Sequence, residues 1–128
     1  IGAGSVAGNS CEFKNSLLFD SVEAPHYNYV GDSILGYHAH MGAGSITSNI
    51  KSDRKNIVIR TDEGPLETGL RKIGAILGDY VEIGCGTVLN PGSIVGKNTM
   101  IYPLTLVRGP VPANSIVKSV ENIVIKQN

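Results

Sequence analysis

Charge of either sign is scarce in this sequence. Only 17% of its 128 residues are charged, against about 25% in average domains, and eleven basic residues balance eleven acidic ones. A net charge of zero with neutral histidines argues against binding to nucleic acid or to an acidic membrane through bulk charge. The length is that of one domain, and a hydrophobic content of 41% excludes simple disorder.

Tryptophan and long hydrophobic runs are missing as well. No apolar run approaches the roughly 20 residues that span a bilayer, so we expect no transmembrane segment and no signal peptide. Two cysteines, Cys11 and Cys85, do not suggest a disulfide framework, and buried free thiols are the default expectation. We therefore expect a cytoplasmic location. The sequence also begins without methionine inside a patterned segment, so we expect a fragment of a longer protein.

Glycine, by contrast, is abundant and often follows an apolar residue. It accounts for 16 of the 128 residues, well above a usual share of about 7%. Nearly all positions of a six-residue period are apolar, which fits neither a helix nor an alternating strand, and glycine follows seven of these fourteen positions. They fall in three runs: Ile1, Ala7, Phe13 and Phe19; Tyr29, Leu35, Met41 and Thr47; Leu77, Ile83, Leu89, Val95, Ile101 and Val107.

A six-residue period is typical of very short strands separated by bends. One aliphatic side chain per strand points inward, the glycine allows a tight turn, and a small residue fills the corner. Three hexads close one triangular coil, and stacked coils form a parallel β-helix. The sequence therefore predicts an all-β, left-handed parallel β-helix built from hexapeptide repeats over residues 1–112. The flat faces of such a prism suit self-association around a threefold axis.

Two breaks in the period predict insertions into this helix. Phe19 and Tyr29 are ten residues apart instead of six, so we expect four extra residues to bulge out near 20–28. The longer excursion from Thr47 to Leu77 contains an alternating segment and an Asp-Glu-Gly-Pro turn, which predict a protruding loop or hairpin near 50–72. Residues 113–128 are expected to form a C-terminal tail.

His26, in the first predicted insertion, is the leading candidate for chemistry. A neutral imidazole can accept a proton at physiological pH. Lys14, Tyr29, Asn49 and Lys55 would add two ammonium groups, a phenol and an amide, which suit an anionic, hydroxyl-rich substrate such as a sugar phosphate. The alternative interpretation is that His26 is an ordinary histidine of a surface loop.

The two other histidines raise the question of a metal site. His38 and His40 point the same way along a strand, and with His26 they would make a three-histidine zinc site with an open position. The γ-type carbonic anhydrases are hexapeptide proteins with such a site, but their ligand pair is spaced by five residues. We therefore expect no metal, and expect His38 and His40 to line a subunit interface or a substrate groove.

Three segments resemble a known family more specifically than the repeats do. Residues 25–32 contain a His-x-x-Tyr-x-Gly-Asp element, residues 42–49 contain Gly-Ala-Gly-Ser-Ile-Thr, and Lys-Asn-Ser occupies 14–16. They resemble the acetyltransferase domain of the bifunctional N-acetylglucosamine-1-phosphate uridyltransferase/glucosamine-1-phosphate acetyltransferases. They also resemble the C-terminal domains of archaeal and bacterial sugar-1-phosphate nucleotidylyltransferases. The similarity covers most of the chain, from Ile1 to about Val111.

The resemblance implies a left-handed β-helix homotrimer with active sites between subunits. It implies acetyl transfer from acetyl-CoA to the amine of an amino-sugar 1-phosphate, of the glucosamine or galactosamine type, in nucleotide-sugar biosynthesis. On the matching positions, His26 would be the general base that deprotonates the attacking amine. Lys14, Tyr29 and Lys55 would hold the sugar phosphate.

The same resemblance assigns a donor side and shows two departures from the family. Ala43 and Asn49 would line the acetyl-CoA side, and the backbone N–H of Cys85 would help to polarise the thioester carbonyl. His40 stands where the family has an asparagine that contacts the sugar. The family's phosphate-binding arginine would lie further upstream of Lys14 than this sequence extends. An alternative is therefore a non-catalytic trimerisation and regulatory module of a sugar-1-phosphate nucleotidyltransferase, of the UDP-N-acetylglucosamine diphosphorylase type.

Overall fold

The computed structural model describes residues 1–118 and Ile125, and short β-strands joined by bends make up its regular secondary structure there. No helix long and apolar enough to cross a membrane occurs within these residues. The strands are β1 Val6–Asn9, β2 Glu12–Lys14, β3 Leu17–Leu18, β4 Glu23–His26, β5 Tyr29–Gly31, β6 Ile34–Leu35, β7 His40–Met41, β8 Ile46–Thr47, β9 Val58–Thr61, β10 Gly64–Glu67, β11 Ala75–Leu77, β12 Glu82–Ile83, β13 Val88–Leu89, β14 Ser93–Val95, β15 Met100–Ile101, β16 Leu106–Val107 and β17 Ile116–Val117.

Three parallel sheets form the faces of a triangular solenoid. The first sheet has the order β1-β4-β7-β12-β15-β17, the second β2-β5-β8-β13-β16 and the third β3-β6-β11-β14. Consecutive strands of the helix belong to successive sheets, so three strands complete one coil and each coil stacks on the previous one. The predicted left-handed parallel β-helix is thereby confirmed.

The core is a stack of inward-facing, mainly aliphatic side chains from the solenoid strands and from the residues just before three strands of the first sheet. The predicted run from Leu77 to Val107 is buried throughout, with 3% exposure or less at each of its six positions. Complete burial of one such side chain stabilises the fold by about 1.5–3 kcal/mol. The core cluster consists of Leu18, Val22, Ala24, Val30, Leu35, Ala39, Met41, Ala75, Leu77, Val81, Ile83, Leu89, Val95, Ile101 and Val107.

The first two coils do not contain the insertion predicted near 20–28. β4 lies in that segment, pairs with β1 on one side and contacts β7 on the other. The inward positions are Leu18 and Val30, both buried, whereas Phe19 is 48% exposed and Tyr29 is half-buried. A strict period of six fails here because the inward residues of β2 and β3, and those of β5 and β6, are five residues apart instead of six. All residues of this stretch therefore belong to the solenoid.

The repeated glycines are needed for the close approach of neighbouring coils. Gly78 does not have a positive φ; the left-handed residue is Tyr80, two positions later, with φ 57°. A Cβ on Gly78 would lie 2.6 Å from the backbone nitrogen of Lys97 in the next coil. The small residues act as predicted, since the buried hydroxyl of Ser45 donates a 2.7 Å hydrogen bond to the Gly42 carbonyl at its own corner.

The second predicted insertion is an antiparallel hairpin of β9 and β10. Its buried root residue Ile57 lies against Gly92, at the corner where the solenoid continues. β11 rejoins the third sheet beside β6, with Ile76 opposite Ile34. At the other end, β17 pairs with β15, so the parallel ladder continues past residue 112. The predicted tail from 119 onwards lies outside the described residues, apart from Ile125.

Candidate active site

His26 ends β4, at the corner between the first and second sheets, and it is exposed. Its backbone N–H donates to Oδ1 of Asn28 at 3.2 Å, and its carbonyl accepts the Gly44 N–H at 3.0 Å. The backbone of the candidate base is therefore held by the solenoid on both sides. The prediction that His26 lies in an insertion is therefore wrong. A strand end fixes an imidazole more firmly than a loop does.

Asn28 is a buried polar residue that the sequence reasoning missed. It is 2% exposed, and its amide nitrogen donates to the carbonyls of Gly42 at 2.9 Å and Ser45 at 3.0 Å. Because its oxygen accepts the His26 N–H, this one side chain ties the corner of His26 to the next coil. The sequence feature that could have indicated this role is spacing. Asn28 is 17 residues from both Cys11 and Ser45, which is one coil in each direction.

Ala43 and Cys85 occupy the same corner on the next two coils. Gly86 donates its N–H to the Ala43 carbonyl at 2.9 Å, and Leu104 donates to the Cys85 carbonyl at 2.9 Å. Both residues are exposed, and neighbouring coils are about 4.8 Å apart. The structure thus brings three of the predicted site residues into one column, and we call His26, Ala43 and Cys85 the open corner.

The corner between the third and first sheets has the same backbone but different chemistry. There the Ala3 N–H donates to Asp20 Oδ1 and the Tyr37 N–H donates to Asp79 Oδ1, both at 2.8 Å. We call these four residues the capped corner. At the open corner the His26 N–H donates to Asn28, whereas within the described residues the N–H groups of Ala43 and Cys85 have no acceptor.

Both cysteines are free thiols, as predicted, but they differ in exposure. Cys11 is half-buried, and its sulfur accepts the Asn28 N–H at 3.3 Å. Cys85 is exposed at the open corner, so the expectation of a buried thiol is wrong there. Cys85 lies in the turn after β12, beyond the inward-facing Ile83, where its side chain is open to solvent.

His40 lies on the outer face of the first sheet, at the start of β7. Its Nδ1 is 2.9 Å from Oε2 of Glu82, its neighbour in register on β12. Both side chains line a groove of about 530 Å³ that extends towards the open corner. Besides these two residues, the groove is lined by Gly42, Ile83, Gly84, Cys85, Met100, Ile101, Tyr102 and Pro103.

The three histidines do not converge on a metal site. His38 lies at a bend between the third and first sheets, where its ring stacks on Tyr80 with centroids 5.3 Å apart. His40 pairs with Glu82, and His26 lies at another corner. Among residues 1–118 and Ile125, no three His, Cys, Asp or Glu side chains come close enough to hold a metal ion. The three-histidine alternative is therefore not assembled within this chain.

Tyr29 and Asn49 meet at the corner between the second and third sheets. Asn49 Nδ2 donates to the Tyr29 hydroxyl at 3.0 Å and to Asp32 Oδ2 at 2.6 Å. The other carboxylate oxygen of Asp32 accepts from Asn15 Nδ2 at 2.7 Å. Asp32 belongs to the sequence motif, but its contacts with Asn15 and Asn49 are visible only in the structure.

The two candidate lysines lie on different elements. Lys14 ends β2, in register with Gly31, whose missing side chain leaves room for the Tyr29 ring. Lys55 is exposed between β8 and β9, and its backbone N–H donates to Asp53 Oδ1 at 2.9 Å. This N–H, together with the charges of Lys51 and Lys55, holds the pKa of Asp53 below its usual value. The contacts of Lys55 thus lie within the insertion.

The stacked hexads define a left-handed β-helix of the hexapeptide-repeat class. No protein-family model matches the chain. It is 36% identical over 118 residues to "Bifunctional protein GlmU" of Methanococcus maripaludis (strain C5), covering 92% of this chain and 28% of that protein. It is 33% identical over 104 residues to a bifunctional sugar-1-phosphate nucleotidylyltransferase/acetyltransferase of Sulfurisphaera tokodaii, covering 81% of this chain and 26% of that protein.

The fold has a counterpart among solved structures. The acetyltransferase domain of PglB from Neisseria gonorrhoeae superposes with a TM-score of 0.70 at 19% identity, over 91% of this chain and 46% of that chain. The two curated relatives confirm the resemblance to sugar-1-phosphate nucleotidylyltransferase/acetyltransferases. The chain spans little more than a quarter of the length of the two curated relatives.

Proposed function

We propose that the chain is an acetyltransferase module that moves an acetyl group from acetyl-CoA to the amine of an amino-sugar 1-phosphate, of the glucosamine or galactosamine type. The observation that carries the proposal is the open corner, where His26 lies in one column with the unpaired N–H groups of Ala43 and Cys85. The names of the two bifunctional relatives support a sugar-phosphate pathway. We expect no metal to take part in this chemistry.

On the acceptor side, His26 is the general base that takes the proton of the attacking amine. The Tyr29 hydroxyl accepts from Asn49, so its own hydrogen remains available to donate to a sugar or phosphate oxygen. Lys14 and Lys55 supply positive charge for the phosphate, which a point charge binds without strict geometry. His40 lines the sugar side of the groove.

On the donor side, the Cys85 N–H polarises the thioester carbonyl. An N–H group aimed at the developing oxyanion stabilises the transition state most when it makes no other hydrogen bond beforehand. The backbone of Ala43 and the side-chain carbonyl of Asn49 border the acetyl-CoA. The amide nitrogen of Asn49 is already held by Tyr29 and Asp32, so its carbonyl oxygen is oriented for a donor N–H.

A homotrimer completes the proposal, with each site between two subunits. Met100, Leu106 and Ile116 point outward from the last coils and are 47%, 54% and 59% exposed. Apolar side chains on flat faces of a solenoid favour association around a threefold axis. Residues of a second chain would then approach the groove beside the first sheet.

The test is thiol release from acetyl-CoA with glucosamine-1-phosphate or galactosamine-1-phosphate. We expect His26→Ala to lower kcat by at least about 100-fold, because general bases contribute about 10²–10⁴-fold. Light scattering should show an unchanged trimer. His38→Ala is the matched control, since that histidine lies at a different corner. Unchanged turnover in the His26 variant would contradict the proposal.

The second candidate function is a non-catalytic trimerisation and regulatory module of a nucleotidyltransferase. It is favoured by one observation, that His40 stands where the resembling family has an asparagine that contacts the sugar. It predicts that calorimetry detects no binding of acetyl-CoA to an intact trimer. A micromolar affinity for acetyl-CoA would rule strongly against this candidate.

A further inference from the structure

The pairing of His40 with Glu82 shows which nitrogen of the imidazole is available for chemistry. A carboxylate only accepts hydrogen bonds, so the Nδ1 atom of His40 carries the hydrogen that is shared with Glu82 Oε2 at 2.9 Å. The free lone pair then belongs to Nε2. The His40 side chain is about a third exposed. It lines the groove, so that lone pair is accessible to a ligand there.

The groove connects this pair to the open corner. His40 precedes Ala43 by three residues, which is about 10 Å of extended chain. Ala43 follows His26 in the corner column, and the bare backbone of Gly42 lies between His40 and Ala43. His26 is not among the residues that line the groove, but it lies one coil before Ala43 at the same corner, so a small ring bound at Gly42 would lie between the strand position of His40 and the corner of His26.

The proton balance of acyl transfer gives a role to each imidazole. An alkyl amine is an ammonium ion near neutral pH, and its nitrogen must lose two protons to become an amide. A hydroxyl oxygen loses only one. Resting on the proposed function, we propose that His40, oriented by Glu82, accepts the first proton of the acceptor, and that the site therefore selects a primary ammonium over a hydroxyl.

The steps balance as follows. His40 Nε2 takes one proton from the ammonium, while Glu82 holds the hydrogen of Nδ1 and so keeps the ring oriented. The freed lone pair forms the C–N bond at the thioester carbon while the carbonyl electron pair moves to oxygen. His26 takes the second proton, the C–S bond breaks as the carbonyl reforms, and the leaving thiolate receives that proton from His26. His40 then releases the first proton to solvent.

The other charged and titratable groups around His40 define the controls. Glu23 on β4 is its neighbour in register on the opposite side, and the ring pairs with Glu82 rather than with Glu23. Cys85 and Tyr102 line the same groove. Glu23→Gln is therefore a matched control for Glu82→Gln, since each removes one carboxylate beside the same histidine.

The experiment measures kcat/KM for the amino-sugar 1-phosphate at pH 7 and pH 9. We expect His40→Asn to lose about 10–100-fold at pH 7, where the acceptor is an ammonium, and Glu82→Gln to lose about 10-fold. The neighbouring oxygens of an amino sugar make its amine less basic than a simple alkyl amine, so at pH 9 most of the acceptor is already unprotonated and both variants should come within about 3-fold of the wild type. Glu23→Gln should match the wild type at both pH values.

A second acceptor separates this role from a purely structural one. An alkoxyamine is unprotonated at pH 7, so His40→Asn should transfer acetyl to it as fast as the wild type does. Equal losses at both pH values, or no loss at all, would overturn the role of His40. Absence of transfer by the wild type at both pH values would instead overturn the proposed function itself.

Discussion

Two corners of one solenoid share a backbone and differ in what they do with it. At the capped corner, the Tyr37 N–H meets the carboxylate of Asp79, 42 residues later. At the open corner, Ala43 has the same relation to Cys85, which has no carboxylate to offer. The repeat thus provides the same donor at both corners, and a single side chain of the following coil decides whether that donor is used for stability or left for a ligand.

The strongest test of this comparison converts the open corner into a capped one. In Cys85→Asp, the new carboxylate would take the Ala43 N–H and add negative charge where an oxyanion is proposed to form. Because the proposed oxyanion donor is the Cys85 N–H, a carboxylate on the same residue opposes the negative charge that develops there. We expect kcat to fall by about 10²–10³-fold, an effect as large as the loss of an oxyanion donor. The midpoint of thermal unfolding should not decrease, because the variant gains a hydrogen bond.

Lys97→Asp is the control for that variant. It places the same side chain directly after a repeat glycine at a different corner, one coil beyond Asp79. Acetyl transfer should stay at the wild-type rate. If both variants lost activity equally, charge on the solenoid rather than the capped N–H would be responsible.

The next largest effect is expected at Asn28, which holds the open corner from inside. Asn28→Ala removes the donors to two buried carbonyls and the acceptor of the His26 N–H. Unpaired buried polar groups cost about 1–3 kcal/mol, so the free energy of unfolding should fall by about 2–3 kcal/mol in urea titration. A loss below about 0.5 kcal/mol would show that the coils hold this corner without Asn28.

A smaller effect is expected when the capped corner is opened. Asp79→Ala removes the acceptor of the Tyr37 N–H, and a hydrogen bond to a charged group at an exposed site contributes about 1 kcal/mol. Urea titration should detect this loss while acetyl transfer stays unchanged. A decrease in turnover would mean that the two corners are not separate in function.

The smallest effect is expected for the stacked rings of His38 and Tyr80, which lie beside the capped corner. Tyr80→Leu removes the aromatic contact with His38, whose ring is nearly parallel at 6°. Such contacts contribute about 0.5–1.5 kcal/mol, and the exposure of Tyr80 favours the lower value. Thermal unfolding should shift slightly downward with no change in the pH profile of activity.

The sequence predicts the fold well wherever the period of six is unbroken. From Leu77 to Val107, every predicted inward position is buried. The same counting placed Phe19 and Tyr29 inside by mistake. Where two inward residues are five apart instead of six, the sequence does not reveal it if the residue at the sixth position is also apolar. The hairpin was predictable since its alternation and its turn residues are local signals.

The site was predictable as residue types but not as contacts. His26, Tyr29 and Asn49 follow from the motif, and the structure brings the last two together. Glu82 was not foreseen, because its partner is 42 residues away across the hairpin. Contacts between coils depend on the length of each coil, and that length is known only when the insertion is separated from the repeat.

The hairpin has a consequence for how such proteins diversify. The chain leaves the solenoid after β8 and returns at β11, where Leu77 takes its place beside Leu35 as if nothing had intervened. Shortening or lengthening the excursion would shift no strand in the ladder. Selection can therefore rewrite this one segment, and with it the surroundings of Lys55, by insertion, deletion or recombination, while the stacked coils that carry His26 keep their register.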